Sequence, residues 1–305
     1  MSSLIHRTHC PACSSEAIHP SLTAVDYTVS RESFSIWHCD TCSLRFTQDV
    51  PDMEGIGAYY QSDSYVSHSD TREGLINKLY HLVRNYTLGQ KYKLVKKMTG
   101  LFTGQLLDIG AGTGAFSNTM QSKGWLVKGL EPDGTARAQA EKNYGLELQT
   151  PHAIHQLEAG SFDVITLWHV LEHVHDLDGY WNHFKKLLNE NGQLIIAVPN
   201  YTSSDARHYG AYWAAYDVPR HLYHFSPAAM EELGRKYGFE LKTTLPMWFD
   251  SFYVSMLSEQ YKNGKSNLAA ACWQGLLSNL KTLFNQNKCS SVIYVFRKGS
   301  MVNSI

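Results

Sequence analysis

The sequence predicts an α/β fold, a parallel sheet wrapped by helices, with a small cysteine-rich head in front of it. Three observations predict it. From Gly104 onward strand-like and helix-like segments alternate, a glycine loop joins the first of those strands to its helix, and two C-x2-C pairs fall within the first 42 residues. The chain has 305 residues, 43% hydrophobic and 18% charged, enough to bury one sizeable core and a small satellite. Lys and Arg number 27 against 28 Asp and Glu, a net charge of −1, so no global cationic field would draw the chain onto nucleic acid or an anionic membrane.

The opening MSSLIHRTHCPAC has neither an apolar h-region nor a small-residue cleavage site, and no run approaches the ~20 apolar residues that span a bilayer. The expected setting is cytoplasmic, where paired cysteines serve as metal ligands more often than as disulfides. Cys10 and Cys13 form one knuckle and Cys39 and Cys42 another, with 25 residues between them. Four thiolates at tetrahedral corners suit Zn2+ in a closed site, so residues 1–50 are expected to form a zinc ribbon around a structural ion. Phe34, Ile36 and Trp37 predict a short hairpin feeding the second knuckle. Cys272 and Cys289 stand alone and are expected to be inert packing residues.

Residues 51–103 read as a helical connector. Leu75, Ile76, Leu79, Val83 and Tyr86, then Leu94, Val95 and Met98, recur at helical spacing. Tyr59, Tyr60 and Tyr65 ahead of them are candidates for a lid over a ligand pocket, with packing on the core as the alternative use.

The core is expected over residues 104–305. QLLDI is its first strand, a helix follows the glycine loop, and WLVKGL is the second strand, a βαβ unit whose ligand crevice lies at the carboxyl ends of its strands. Gly110, Gly112 and Ala115 satisfy the dinucleotide pattern G-x-G-x-x-G/A, a weak signal alone. Asp108 at the end of the first strand decides between ligands: a carboxylate there gains nothing from a doubly negative pyrophosphate but favours the ammonium and sulfonium of S-adenosylmethionine. Glu131 ends the second strand, 23 residues after Asp108, placed to accept from ribose hydroxyls.

DIGAGTG at 108–114, GLEP at 129–132, FDVI at 162–165 and GQLII at 192–196 resemble the ordered motifs of class I S-adenosylmethionine-dependent methyltransferases, over most of residues 104–254. The resemblance implies a Rossmann-like sheet of seven strands whose last two form an antiparallel hairpin, with residues 240–245 and 291–297 as candidates. It also implies a donor site made by Asp108, Gly110, Gly112, Gly114, Glu131 and Pro132. Where many members carry an acidic residue after the third strand, this chain reads Thr150, Pro151, His152, which leaves the usual adenine contact without its carboxylate.

The fourth strand of the core runs into His169, Glu172 and His173, which share a face if the chain turns helical from Val170. Three uses fit: an imidazole general base, ligands for a divalent metal that acidifies a substrate oxygen, or a purely structural pair in which Glu172 orients His173. The segment resembles the Glu-x-x-Glu-His metal motif of some RNA-end and quinone O-methyltransferases, which add a His from a later loop. Here His169 replaces the first Glu, which shifts any site toward Zn2+ or Fe2+ and away from Mg2+.

Residues 201–225 are dense in aromatic, cationic and imidazole side chains and form the candidate acceptor loop, with Tyr216, Arg220, His221 and His224 as its binding residues; a loop packed by its own aromatics is the alternative. Ser226 and Pro227 then start a helix as N-cap and first residue, and residues 258–288 read as helical. The expected function is methyl transfer from S-adenosylmethionine to an oxygen or carbon of a small polar or aromatic acceptor. The two-knuckle head resembles the N-terminal part of deoxysugar C-methyltransferases, which adds sugars to that class. The rival readings are a zinc-headed adapter without catalysis and an NAD-dependent oxidoreductase. Neither nucleic acid nor membrane is expected as a partner.

Overall fold

The structure, a computed structural model, describes residues 3–61, 75–265 and 267–299. Tyr65 and the side chains of Leu75, Ile76 and Leu79 lie outside the described residues. Five strands build the head: β1 (Leu4–Ile5), β2 (Ile18–Val25), β3 (Ser33–Cys39), β4 (Arg45–Thr47) and β5 (Val50–Pro51). Helix α1 (Leu75–Thr99) leads into β6 (Gln105–Ile109), α2 (Ala115–Gln121), β7 (Leu126–Leu130), α3 (Gly134–Tyr144), β8 (Phe162–Trp168), α4 (Leu177–Leu187) and β9 (Leu188–Pro199). Then follow α5 (Ser204–Tyr209), β10 (Tyr223–His224), α6 (Pro227–Lys236), β11 (Phe239–Pro246), α7 (Asp250–Asn263), α8 (Leu268–Phe284) and β12 (Ser291–Lys298).

The central sheet has the order β11-β12-β9-β8-β6-β7, parallel from β9 to β7, with β12 antiparallel to both of its neighbours. The hairpin expected at 240–245 and 291–297 is β11 with β12. Six strands, not the seven expected, pair in this sheet among the described residues. Where a seventh would flank β7, only Gln149 bridges Leu130. The reason is local: Pro151 cannot donate to a ladder, and it opens a 3-10 turn over Pro151–Gln156 that ends the extended run.

Both faces of the sheet are covered. On one, Trp181 of α4 stacks on Tyr237 and meets Phe239 and Phe296 edge-on. On the other, Val95 of α1 and Phe116 and Met120 of α2 pack on Leu106, Val164, Ile195 and Val295, so the segment read as a connector contributes a full layer of the core. The helical stretch expected over 258–288 holds the end of α7 and the whole of α8; Gly264 closes the first in a left-handed C-cap and Asn267 caps the second. Cys289 is buried as expected, whereas Cys272 faces outward on α8.

The head does not stand alone. β10, from the candidate acceptor loop, pairs antiparallel with β4, so the head sheet runs β10-β4-β3-β2 and is completed by the core.

Candidate active site

β6 delivers Asp108 into the middle of the sheet, where it is buried. Its Oδ2 accepts from Ser117 Oγ at 2.7 Å and its Oδ1 from Thr166 Oγ1 at 2.8 Å. Burial raises its pKa to about 6 in spite of these bonds. Asp108 therefore ties α2 to β8 through its two oxygens. Glu131 sits at the end of β7, its Oε2 accepting from the Gly112 amide at 2.7 Å and its Oε1 from the Asp133 amide at 2.9 Å. Each oxygen keeps a lone pair for a further donor. Pro132 is exposed beside it, and Gly114 is the N-cap residue of α2.

Gly110 makes the closest approach in the loop. At φ +70° its backbone is left-handed, and a Cβ there would stand 2.2 Å from Val170 Cγ2. The donor loop is thus in contact with the histidine turn that follows β8. That turn is not the α-helix expected: His169 takes φ +59°, and a single 3-10 turn covers Leu171–His173. Glu172 consequently stands between the two imidazoles, in contact with His169 on one side and near His173 on the other.

His169 points its Nε2 at Asp250 Oδ2, 3.0 Å away, and its Nδ1 at Glu172 Oε1, 3.3 Å away. Burial opposes a charge on His169, but Asp250 and then Glu172 outweigh it and raise its pKa to about 10. Both of its ring nitrogens are thus engaged by carboxylates of the protein. His173 is different. Its Nδ1 lies 3.1 Å from the Arg220 carbonyl and 3.0 Å from the Tyr60 hydroxyl. A carbonyl only accepts, so Nδ1 carries the proton and Nε2 keeps a lone pair. Burial, then His221, lowers its pKa to about 4, so it is neutral near pH 7.

His221, read from the sequence as an acceptor-binding residue, arrives from the loop beside them. Its ring centroid is 4.6 Å from that of His173, and its Nδ1 donates to the Ala215 carbonyl at 2.8 Å. One ligand atom each of Glu172, His173 and His221 lies within 4.8 Å of the others. Glu172 is fully buried, and neither of its oxygens accepts a well-formed hydrogen bond. Burial would push it toward the neutral acid; contact with His169 holds its pKa below the usual range instead. The trio is a buried anion facing two imidazoles, short of donors.

The other candidate residues of the acceptor loop are bonded to the head and to the loop itself. Arg220 is 1% exposed: Nε and Nη2 donate to Asp217 at 3.0 and 2.6 Å, Nη2 also to Asp26 at 3.1 Å, and Nη1 to the Tyr59 carbonyl at 2.6 Å. Four of its five N–H donors are thus engaged within the protein. Tyr216 accepts from Arg45 at 2.9 Å and His224 meets Thr47 Oγ1 at 3.0 Å, both buried against the head. The signals missed were Asp26 and Asp250. Asp217 stands at i, i+3 from Arg220 and could have been paired with it on sequence, but Asp26 is 194 residues away in chain order.

The four cysteines converge as expected, with Cys10 and Cys42 sulfurs 3.5 Å apart and Cys13 and Cys39 3.6 Å apart. The two knuckles share one geometry: the Ser14 amide donates to the Cys10 carbonyl and the Ser43 amide to the Cys39 carbonyl, both at 2.9 Å, with Ser14 and Ser43 left-handed.

A parallel sheet with an acidic residue closing its second strand, a glycine loop after its first and a polar cluster beside that loop define the class: an S-adenosylmethionine-dependent methyltransferase. The chain belongs to the methyltransferase-domain family, whose model matches residues 86–244, just over half its length. The ubiquinone biosynthesis O-methyltransferase of Aeromonas salmonicida is 28% identical over 190 residues, 57% of this chain and 76% of that protein. The protein of the same name from Glaesserella parasuis is 34% identical over 120 residues, but the match spans 35% of this chain and only half of that relative. In fold, the structure of Haemonchus contortus phosphoethanolamine N-methyltransferase 2 in complex with S-adenosyl-L-methionine superposes with a TM-score of 0.50 at 16% identity, covering 90% of this chain and 71% of that one. The adapter and oxidoreductase readings are set aside by this membership.

Proposed function

We propose that the protein transfers the methyl group of S-adenosylmethionine to a hydroxyl oxygen of a small polar or aromatic molecule, at the Glu172–His173–His221 cluster. The observation that carries this is the contact of Gly110 with Val170, which sets the donor loop against the turn bearing the cluster. The names of the sequence relatives support oxygen over carbon as acceptor. Gly110, Gly112, Gly114, Glu131 and Pro132 line the donor side, with Asp108 holding the loop from beneath. His173 Nε2 takes the acceptor proton, its ring fixed by the Arg220 carbonyl and Tyr60.

The same trio fits a divalent metal, because Glu172 is a buried carboxylate with no donor on Oε2 and only His169 Nδ1, 3.3 Å away, facing Oε1, while the two imidazoles keep their Nε2 lone pairs. Two nitrogens and one oxygen favour Zn2+ or Fe2+; such an ion would lower the pKa of an acceptor hydroxyl. In the head, Cys10, Cys13, Cys39 and Cys42 would hold a structural Zn2+: at a Zn–S distance of ~2.3 Å, tetrahedral sulfurs lie ~3.8 Å apart, close to what the pairs adopt. Residues 1–50 are that head, 51–103 the connecting segment and 104–305 the core. Four free thiols in one cluster fit a reducing, cytoplasmic setting, and the acceptor is a small molecule, not a nucleic acid.

Methyl-labelled donor should transfer label to members of a panel of hydroxylated aromatics and sugars, and His173→Gln or His221→Gln should reduce turnover on them without abolishing donor binding by calorimetry. Undiminished turnover in both variants would remove the cluster from the reaction. Activity that survives chelation yet needs His173 would favour the base reading, and activity restored by added Zn2+ or Fe2+ the metal.

A further inference from the structure

Helices α7 and α8 form a hairpin inserted between β11 and β12, and α8 is built inside out. Its buried positions are Ala271, Gln274, Gly275, Ser278 and Thr282. Its large apolar residues point the other way. Trp273, Leu276, Leu280 and Leu283 recur every three or four positions as one exposed stripe, with Trp273 63% exposed and Phe284 at its end 92%. The inward seam is made of small groups: a Cβ on Gly275 would lie 2.7 Å from Phe252 Cδ1, and Ser251, Ser255 and Ser258 of α7 are fully buried. A helix of a water-soluble domain buries its leucines. Helices that approach through Ser, Ala and Gly while turning Leu and Trp outward pack as helices in contact with lipid do.

The charges around the stripe narrow the choice of occupant. Within residues 247–290 the only acids are Asp250, paired with His169, and Glu259, which is buried and accepts from Tyr209 and Asn263. Lys262, Lys265 and Lys281 are exposed. The exposed charges of the hairpin are therefore all cationic, Lys262 and Lys265 at the turn between α7 and α8 and Lys281 on α8 itself, with no exposed carboxylate in the insertion, an asymmetry that the chain's net charge of −1 conceals. A second copy docked about a two-fold axis would set one group of lysines against the other. An anionic lipid surface complements both the stripe and these lysines. No described helix is long and apolar enough to cross a membrane, and the 17 residues of α8 measure roughly 25 Å. From these facts we infer that the α7–α8 hairpin docks on anionic lipid bilayers, α8 lying parallel to the surface with Trp273, Leu276, Leu280 and Leu283 among the acyl chains and the lysines at the headgroups. The inference goes beyond the acceptor chemistry and does not depend on it.

Sedimentation of the full-length protein with phosphatidylglycerol–phosphatidylcholine vesicles tests it, using the triple variant Leu276→Gln, Leu280→Gln, Leu283→Gln and the pair Lys262→Glu, Lys281→Glu. All five positions are exposed, so the variants should keep the wild-type circular dichroism and Tm. The wild type should bind and each variant should bind about tenfold or more weakly. Brominated lipid should quench the wild type more than Trp273→Phe. Absence of vesicle binding, equal binding by the triple variant, or a concentration-dependent dimer that dissociates in the triple variant while vesicle binding is absent would each overturn the inference.

Discussion

His169 Nε2 and Asp250 Oδ2 meet at 3.0 Å, which fastens the end of β8 to the first turn of α7. The pair joins the edge of the donor crevice to the inserted hairpin. His169 has a folded pKa raised to about 10 from an ordinary 6.5, so its contribution to stability is complete below pH 6.5 and is lost as pH rises toward 10. Asp250→Asn should lower Tm most near pH 6, and the gap to wild type should close as pH approaches 10. A gap that stays constant over that window would show that the two side chains do not titrate as a pair.

Gly110 is the second tight point of the site. Gly110→Ala meets Val170 Cγ2 at 2.2 Å and also demands φ +70° of an L-residue. The combined strain, about 1–3 kcal/mol or more, should weaken S-adenosylmethionine binding about tenfold or more by calorimetry. Adding Val170→Ala should recover part of that loss, since it relieves the clash but not the backbone. Full recovery would mean that φ is unimportant here.

The βαβ unit was legible in the sequence because its cues are local. A strand, a glycine loop and an acid 23 residues later follow from backbone geometry within one βαβ unit. The four-cysteine cluster of the head was legible for the same reason, each knuckle being a four-residue turn. The acceptor side was not. His169 and His173 are four residues apart, yet one is held protonated by Asp250 from α7 and the other neutral by burial and His221. Both partners come from distant segments, and periodicity could not assign them. Arg220 shows the same limit of local cues: a loop rich in Arg, Tyr and His looks alike whether it faces a ligand or seals against a second sheet, and its partner Asp26 lies in the head.

Arg220→Met should expose how much that seal contributes. Removing one partner of a buried ion pair leaves Asp26 and Asp217 uncompensated, a cost of roughly 3–5 kcal/mol in denaturant unfolding. Asp26→Asn with Asp217→Asn in the same chain should restore part of it. Arg220→Lys should not, because one ammonium cannot reproduce the fork that holds Asp217 through two nitrogens and also reaches the Tyr59 carbonyl. If Arg220→Met left stability unchanged and raised only KM, the guanidinium would be a substrate group after all.

The cysteine cluster and the candidate reaction site are linked by backbone. Ser43 follows the second knuckle into β4, and β4 pairs with β10 through Phe46 with Tyr223 and Arg45 with His224. Thr47 continues the line: its amide donates to the Leu222 carbonyl at 2.9 Å and its hydroxyl to the His221 carbonyl at 2.7 Å, while the Leu222 amide donates to the Glu172 carbonyl at 2.8 Å. The β4 bonds join the head to the segment carrying His221, and the Leu222 bond joins that segment to the turn carrying Glu172 and His173. Cys13→Ser, by weakening the four-sulfur site, should therefore accelerate amide exchange at residues 221–224 as well as in the head, and should reduce turnover even though no cysteine touches the cluster. Exchange that quickens only within residues 1–50, with turnover intact, would mean that the head folds as an independent module and that β10 holds its place without it.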